Sequence, residues 1–340
     1  MKRAFSLIEV AVVLAMVGII GAAAASVCSL VLNTVKSTKA LASLNSRAQQ
    51  PLLYLQREIQ RAGGNGMPGA AAIVVENDCE ARGELPDCEG TDRLNVFTAL
   101  DGPVCRAEPI DATTVKFNWP QGGCCLKPTN TSGEVFRGHL MLQRGTATST
   151  PQWRPVYAEA SDGTSCSFSI QDMLPPALLP EGSTTMVAPG VAVDAILIEA
   201  RTFYLDPSTH ELQLLLDGDA PPAPGEPTVE GERLLIASRI YDFQAAVALD
   251  DNKDGVVAGS EWAFRVLPVP PATIKATAPM LVWVTDITGI DDHRGGSSTV
   301  ASPLRGTTMT RANENLRAGS LQVAPLNSVL GPGFAFPDGP

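Results

Sequence analysis

The chain has 340 residues, 36 acidic against 25 basic side chains and a net charge of −11, a balance that argues against nucleic acid as a partner. Hydrophobic residues make up 44% of it and charged residues 18%, too apolar a mixture for an intrinsically disordered chain. Solubility is the plain explanation of this acidity.

In chain order, Lys2 and Arg3 precede Phe5-Ser6-Leu7-Ile8-Glu9-Val10 and an apolar run that continues to Leu32. About 20 apolar residues cross a bilayer, so residues 10–32 are long enough to span one, and the basic pair orients its start toward the cytoplasm. Glu9 sits at the edge of that run. An ionisable group there costs free energy and so points to function, with a cationic partner as the usual remedy. An ordinary secretory signal cut near Ala22-Ala23-Ala24-Ala25-Ser26 is the competing reading. It has no use for Glu9, and the apolar pattern resumes beyond the alanines at Val27, Leu30, Val31 and Leu32.

Leu41, Leu44, Ala48, Leu52, Leu55 and Ile59 then recur every three or four residues, which predicts an amphipathic helix continuing out of the span. From Phe5 to Ala62 such a helix would be roughly 87 Å long. Pro51 removes the amide that would bond the Arg47 carbonyl, so a kink is expected between them. Gly63-Gly64-Asn65-Gly66, followed by Pro68 and Gly69, ends the helix.

The leader, Phe5 to Val10 and the long helix resemble the N-terminus of type IV prepilins and type II secretion pseudopilins. The resemblance implies a cleaved basic leader, residues 1–4, with Ala4 as its last residue where most of the family has Gly. It implies Phe5 as the first mature residue with a methylated amine, and Glu9 as the charge that pairs with a neighbouring subunit's N-terminal amine. Residues 5–32 would form the transmembrane and polymerisation helix, residues 33–62 the stalk, and residues 63–340 a periplasmic or extracellular head. Leu53-Tyr54-Leu55-Gln56-Arg57-Glu58-Ile59-Gln60-Arg61-Ala62-Gly63 looks like the end of the stalk in PilW-type minor pilins and, next, GspJ-type pseudopilins. The fold implied is α+β, a long helix packed on an antiparallel β-sheet head. The partners implied are prepilin peptidase, the inner membrane before assembly, the major pilin, other minor pilins and a large tip adhesin. A head this large, and Ser26 where type IVa major pilins carry Pro, favour a minor subunit acting in filament initiation or at the tip. A type II secretion pseudopilin and a membrane-anchored surface-binding protein are the alternatives.

About 278 residues follow Ala62, near the size at which a single core divides. Short runs rich in Val, Ile, Thr and Phe between Pro, Gly and Asp predict strands over residues 71–75, 93–100, 114–119, 195–204, 211–216, 234–249 and 280–285. Of seven cysteines, Cys28 falls in the apolar span, and Cys79, Cys88, Cys105, Cys124, Cys125 and Cys166 cluster in the head. Six cysteines in an exported chain imply up to three disulfides with 15 possible pairings. Cys79 with Cys88, and Cys124 and Cys125 shared between Cys105 and Cys166, is the expected arrangement. A metal site is the weaker reading, because no pair has C-x-x-C spacing.

Residues 250–261, Asp-Asp-Asn-Lys-Asp-Gly-Val-Val-Ala-Gly-Ser-Glu, fit the calcium-loop pattern D-x-[DN]-x-[DN]-G-x5-E. Side-chain oxygens would come from Asp250, Asn252 and Asp254, a carbonyl from Val256 and two oxygens from Glu261; Ala258 has none to offer. A solvated Asp/Asn/Gly turn between strands is the competing reading. His139, His210 and His293 are scattered and match no catalytic motif, so no enzyme is expected. Residues 220–227, 289–296 and 295–310 read as surface loops.

Overall fold

The computed structural model describes residues 7–64, 67, 72–77, 89–100, 104–111, 113–119, 123–128, 135–144, 152–162, 164–173, 193–216, 232–249, 262–263, 280–291, 297–302, 304 and 308–325. The chain divides into two units, residues 1–47 and 48–340. The division falls at Arg47, whose carbonyl Pro51 cannot bond.

Helix α1 covers Leu7–Arg61, with Pro51 inside it and Arg61 in its last turn. In the first unit it carries the apolar run. In the second unit its last turns bury Leu52, Leu55, Ile59 and Ala62, which continues the three–four spacing read from the sequence. Leu52, Leu55 and Ile59 each contribute about 1.5–3 kcal/mol by this burial. Ala62 N–H bonds the Ile59 carbonyl at 3.1 Å, and Gly63 and Gly64 follow at φ 88° and 113°, the left-handed conformation that glycine accepts without a Cβ penalty. Gly63 then exchanges backbone hydrogen bonds with Phe97 and Ala99, both at 2.9 Å, so the helix hands the chain directly to a strand.

Sixteen strands are described: β1 Ile73–Asn77, β2 Asp92–Ala99, β3 Cys105–Pro109, β4 Thr114–Asn118, β5 Arg137–Arg144, β6 Gln152–Ala160, β7 Ser167–Asp172, β8 Val193–Asp206, β9 Glu211–Leu216, β10 Glu232–Ser238, β11 Ile240–Leu249, β12 Trp262–Ala263, β13 Met280–Asp291, β14 Ser297–Ala301, β15 Thr308–Ala312 and β16 Glu314–Val323. Every pairing between them is antiparallel. With the N-terminal helix this is an α+β protein.

β8 organises the head because it is 14 residues long and its two halves pair with different strands. Its C-terminal half lies between β2 and β9, within a five-stranded order β1-β2-β8-β9-β10. Its N-terminal half lies between β3 and β5, and β3-β4-β7-β6-β5 return to it, closing a six-stranded antiparallel barrel. Every second residue of each barrel strand fills the interior: Ala107, Phe117, Leu142, Ala158, Phe168 and Ala195 represent the six. Closure removes the exposed edges that a single sheet of this length would leave. A separate core joins the end of α1, the five-stranded sheet and a four-stranded sheet, β12-β11-β13-β16, which contributes Phe243, Ala245, Val247, Val282 and Val284. Asp92 accepts the Ala245 N–H at 2.8 Å and Gln244 donates to the Gly90 carbonyl at 3.0 Å, so side chains tie the edge of β11 to the β2 region.

Three sequence expectations change. The run 234–249 is two strands, β10 and β11, separated at Arg239 with φ 61°. Residues 297–301 and 308–312, expected as loop, pair as β14 and β15, because Ser and Thr at alternate positions serve a half-exposed ribbon as well as a turn. Gly289 to Asp291 close β13 instead of opening a loop.

Candidate functional site

The first candidate is the N-terminal helix. Residues Ala11–Lys36 are long and apolar enough to cross a membrane, and the described side chains of this stretch are exposed. Ile8, Leu14, Ile19 and Ile20 are each about two-thirds or more exposed. Such a surface needs lipid or other protein against it. Three hydroxyl groups of this helix bond its own backbone: Ser26 donates to the Ala23 carbonyl at 2.7 Å, Ser29 to the Ser26 carbonyl at 2.8 Å and Thr38 to the Thr34 carbonyl at 2.9 Å. Backbone-bonded hydroxyls are compatible with a hydrocarbon surrounding. Cys28 is a free, exposed thiol on this helix. Glu9 is the third helical residue of α1; Ala4 and Phe5 lie outside the described residues.

At the end of α1 a buried charge joins the hydrocarbon contact. Glu58 is buried on α1 and accepts from Arg201 Nη1 of β8, while Arg201 Nη2 donates to Glu199 at 2.5 Å. Arg61, one turn on, lies 3.8 Å from Glu58. A second buried set sits on β1, β2 and β8. Arg93 and Asn95 donate to the two oxygens of Glu76 at 2.9 and 2.7 Å, and Thr202 donates to Asn95 at 2.8 Å. Buried ions persist where each has such a partner.

The adjacent cysteines take different partners, Cys105–Cys125 and Cys124–Cys166, with Cα separations of 5.7 and 5.2 Å. The local chain makes this possible. Gly123 at φ 87° turns the strand end back, Trp119 bonds its carbonyl at 2.9 Å, and Cys125 N–H bonds Phe117 at 3.1 Å. Cys125 then faces the barrel interior while Cys124 reaches the start of β7. Cys79 and Cys88 lie outside the described residues.

The calcium-loop residues Asp250, Asn252, Asp254, Val256 and Glu261 also lie outside them. Their flanks are described: β11 ends at Leu249, β12 begins at Trp262, and Ala248 pairs with Trp262. The two ends of the twelve-residue segment are therefore held on neighbouring strands. Among the described residues no group of three His, Cys, Asp or Glu side chains is placed to hold a metal ion.

His139 is buried in β5 with its ring 5.6 Å from that of Tyr157, its cross-strand partner. Asp286 of β13 is buried opposite Phe243, and one of its oxygens lacks a hydrogen-bond partner. Burial pushes its carboxyl up to about 7; Asp242 adds to this, and bonds from Thr288 and the Gly319 N–H work against it.

Sequence reasoning missed a cluster around Tyr241. The Tyr241 hydroxyl donates to Glu314 at 2.7 Å, the Arg311 guanidinium lies over its ring at 4.5 Å from the centroid, and the His210 ring meets it edge-on at 4.8 Å. Burial first, then the Glu314 hydrogen bond and charge, push the phenol up to about 12, so it remains a donor. These residues come from the β8–β9 turn, β11, β15 and β16, and no local pattern in the sequence links them. Comparison with known protein families, curated proteins and solved structures yields no match to this chain.

Proposed function

We propose that this chain is a minor pilin, processed by prepilin peptidase and incorporated into a type IV pilus as part of the initiating or tip complex. The observation that carries the reading is a single helix with two characters. Its first part is apolar and exposed, with Glu9 near its start, and its last part packs its stripe onto an antiparallel β head. A helix of this kind serves first as a membrane anchor and then as the packing element of a filament. Lys2 and Arg3 would remain cytoplasmic, Ala4 would be the last residue removed, and the Phe5 amine would be methylated. Glu9 in the apolar phase gains most when a neighbour's Phe5 amine pairs with it. The partners are then the major pilin and other minor pilins, with a large tip adhesin as a further contact, and the head supplies contacts rather than catalysis. Before assembly the protein sits in the inner membrane with its head in the periplasm; afterwards it lies in the fibre at the cell surface. The segment 53–63 fits a GspJ-type pseudopilin of type II secretion as well, and the two machines differ in the filament that incorporates the subunit.

Mass spectrometry of the mature protein tests processing: an N-methylated Phe5 is expected, and a start at Met1 or after Ala24 would overturn the reading. Glu9→Ala is expected to leave membrane insertion intact and remove the subunit from sheared pili. Detection of the wild-type chain in a type II pseudopilus, and its absence from pili, would select the second machine.

Calcium bound by Asp250, Asn252, Asp254, Val256 and Glu261 belongs to the same proposal, as a structural ion in the head. Millimolar extracellular calcium would fill even a weak loop.

A further inference from the structure

Arg311 is placed in an unusual way. Its guanidinium lies over the Tyr241 ring, half-buried, yet among the described residues it makes no hydrogen bond or ion pair. The nearby carboxylate does not take it: Glu314 spends one oxygen on the Tyr241 hydroxyl, and its other oxygen is buried without a partner. The ring holds the guanidinium carbon, and among the described residues its N–H donors are left without an acceptor. An arginine so placed keeps the planar donor fork with which it binds a carboxylate or phosphate through two parallel hydrogen bonds.

The surroundings hold this fork in place. Among the described residues four non-glycine residues have positive φ, and three of them border the cluster: His210 at 54°, Arg239 at 61° and Asn313 at 61°. Such conformations cost on the order of 1 kcal/mol each and persist where the neighbouring structure over-determines them. Here the Ile240 N–H bonds His210 and the Gly289 N–H bonds Arg239, both at 3.0 Å. Gly289 completes the seat: a Cβ there would lie 2.5 Å from the Tyr241 ring, so only glycine lets the ring settle under Arg311. Arg239 adds a second positive charge near the phenol.

We propose that Arg311, seated on Tyr241, is a docking residue for an exposed Asp or Glu carboxylate on a protein partner. This goes beyond the pilin reading and does not depend on it. The choice of a protein carboxylate over a phosphate polymer rests on charge: a chain of net charge −11 repels a polyanion as a whole, while a single carboxylate meets only this local fork. Tyr and Arg are also the residue types that dominate protein interfaces energetically.

The test uses the full chain in neutral detergent at low ionic strength, titrated against a fluorescent acetyl-Gly-Gly-Glu-Gly-Gly amide, which carries one carboxylate, and its glutamine counterpart. The glutamate peptide is expected to bind and the glutamine peptide not. Arg311→Lys, which keeps the charge but loses the fork, is expected to weaken binding about tenfold. Tyr241→Leu is expected to weaken it similarly, and Arg317→Ala, an exposed cation on β16, to leave it unchanged. Arg311→Ala should abolish binding; if that variant does not fold, the ratio of wild type to Arg311→Lys decides. Equal binding by wild type and Arg311→Lys, equal binding of the two peptides, or displacement by inorganic phosphate at equimolar concentration would each overturn the proposal.

Discussion

Arg201 of β8 donates to Glu58 of α1 across 143 residues of sequence, and both side chains are buried. The contact sets helix against sheet by charge where the rest of the contact is hydrocarbon. Removing one partner strands the other as an uncompensated buried ion, which costs about 3–5 kcal/mol. Glu58→Met and Arg201→Met should therefore each lower the urea midpoint of the head steeply. The double variant should lose much less than the sum of the two, because it buries neither charge. Glu199 also binds Arg201, so Arg201→Met is expected to be the more damaging single change. Additive single effects within about 0.5 kcal/mol would show that the pair is not coupled.

The disulfides staple the barrel by different loops, with sequence separations of 20 for Cys105–Cys125 and 42 for Cys124–Cys166. Loop-closure entropy alone assigns them about 3 and about 4 kcal/mol. Reduction should lower the melting temperature of the head, and Cys124→Ser with Cys166→Ser should lower it at least as much as the other double variant. Pairing is checked separately. In Cys166→Ala, a thiol-alkylating reagent applied to the denatured, unreduced protein should label Cys124 besides the free Cys28, and label on Cys125 instead would mean that the partners are exchanged.

Some of this fold is legible from sequence and some is not, for identifiable reasons. Leu52, Leu55 and Ile59 announce the buried face of α1 because a helix's period is written in adjacent turns. The barrel is silent: Ala107, Phe117 and Phe168 show the alternation of strands, but alternation does not say which strand lies beside which. β8 has four strand neighbours, all set by distant segments. Buried charges such as Arg93 and Asp286 read as surface residues until their partners are placed. The Tyr241 cluster is invisible for the same reason, while Phe5 to Glu9 stand out because an ionisable residue in an apolar run needs no partner to be conspicuous.

Asp286 makes the head's stability depend on pH in the direction opposite to most carboxylates. Its folded-state pKa, about 7, lies above the ordinary 3.8, so between these values the folded chain holds a proton that the unfolded chain has released. Stability from this group is full below about pH 4, declines as pH rises through the window, and is gone above about pH 7. The loss is on the order of 4 kcal/mol. Asp286→Asn keeps the shape without the proton. The difference in unfolding free energy between variant and wild type, followed from pH 4.5 to 8 by urea titration, should therefore move steadily in favour of Asn. A pH-independent difference would place the proton elsewhere.

β11 and β12 hold the ends of residues 250–261 on adjacent strands, with Val247 paired to Ala263 and Ala248 to Trp262. A calcium loop needs its first and twelfth ligands around one ion, so strands that close the segment at both ends favour binding by lowering the entropy lost when Asp250 and Glu261 converge. Without the ion, Asp250, Asp251, Asp254 and Glu261 share a short segment and repel. Calcium at millimolar concentration is therefore expected to raise the melting temperature of the head by several degrees, and chelator to reverse it. Binding to the native state alone at about 10 times Kd supplies about 1.4 kcal/mol. Asp254→Ala and Glu261→Gln should abolish the calcium-dependent part and leave the chelated melting temperature unchanged or slightly higher, since each removes a repelling charge. A shift that survives both substitutions would assign the ion to other residues, and no shift in the wild type would leave the segment as an acidic turn between β11 and β12.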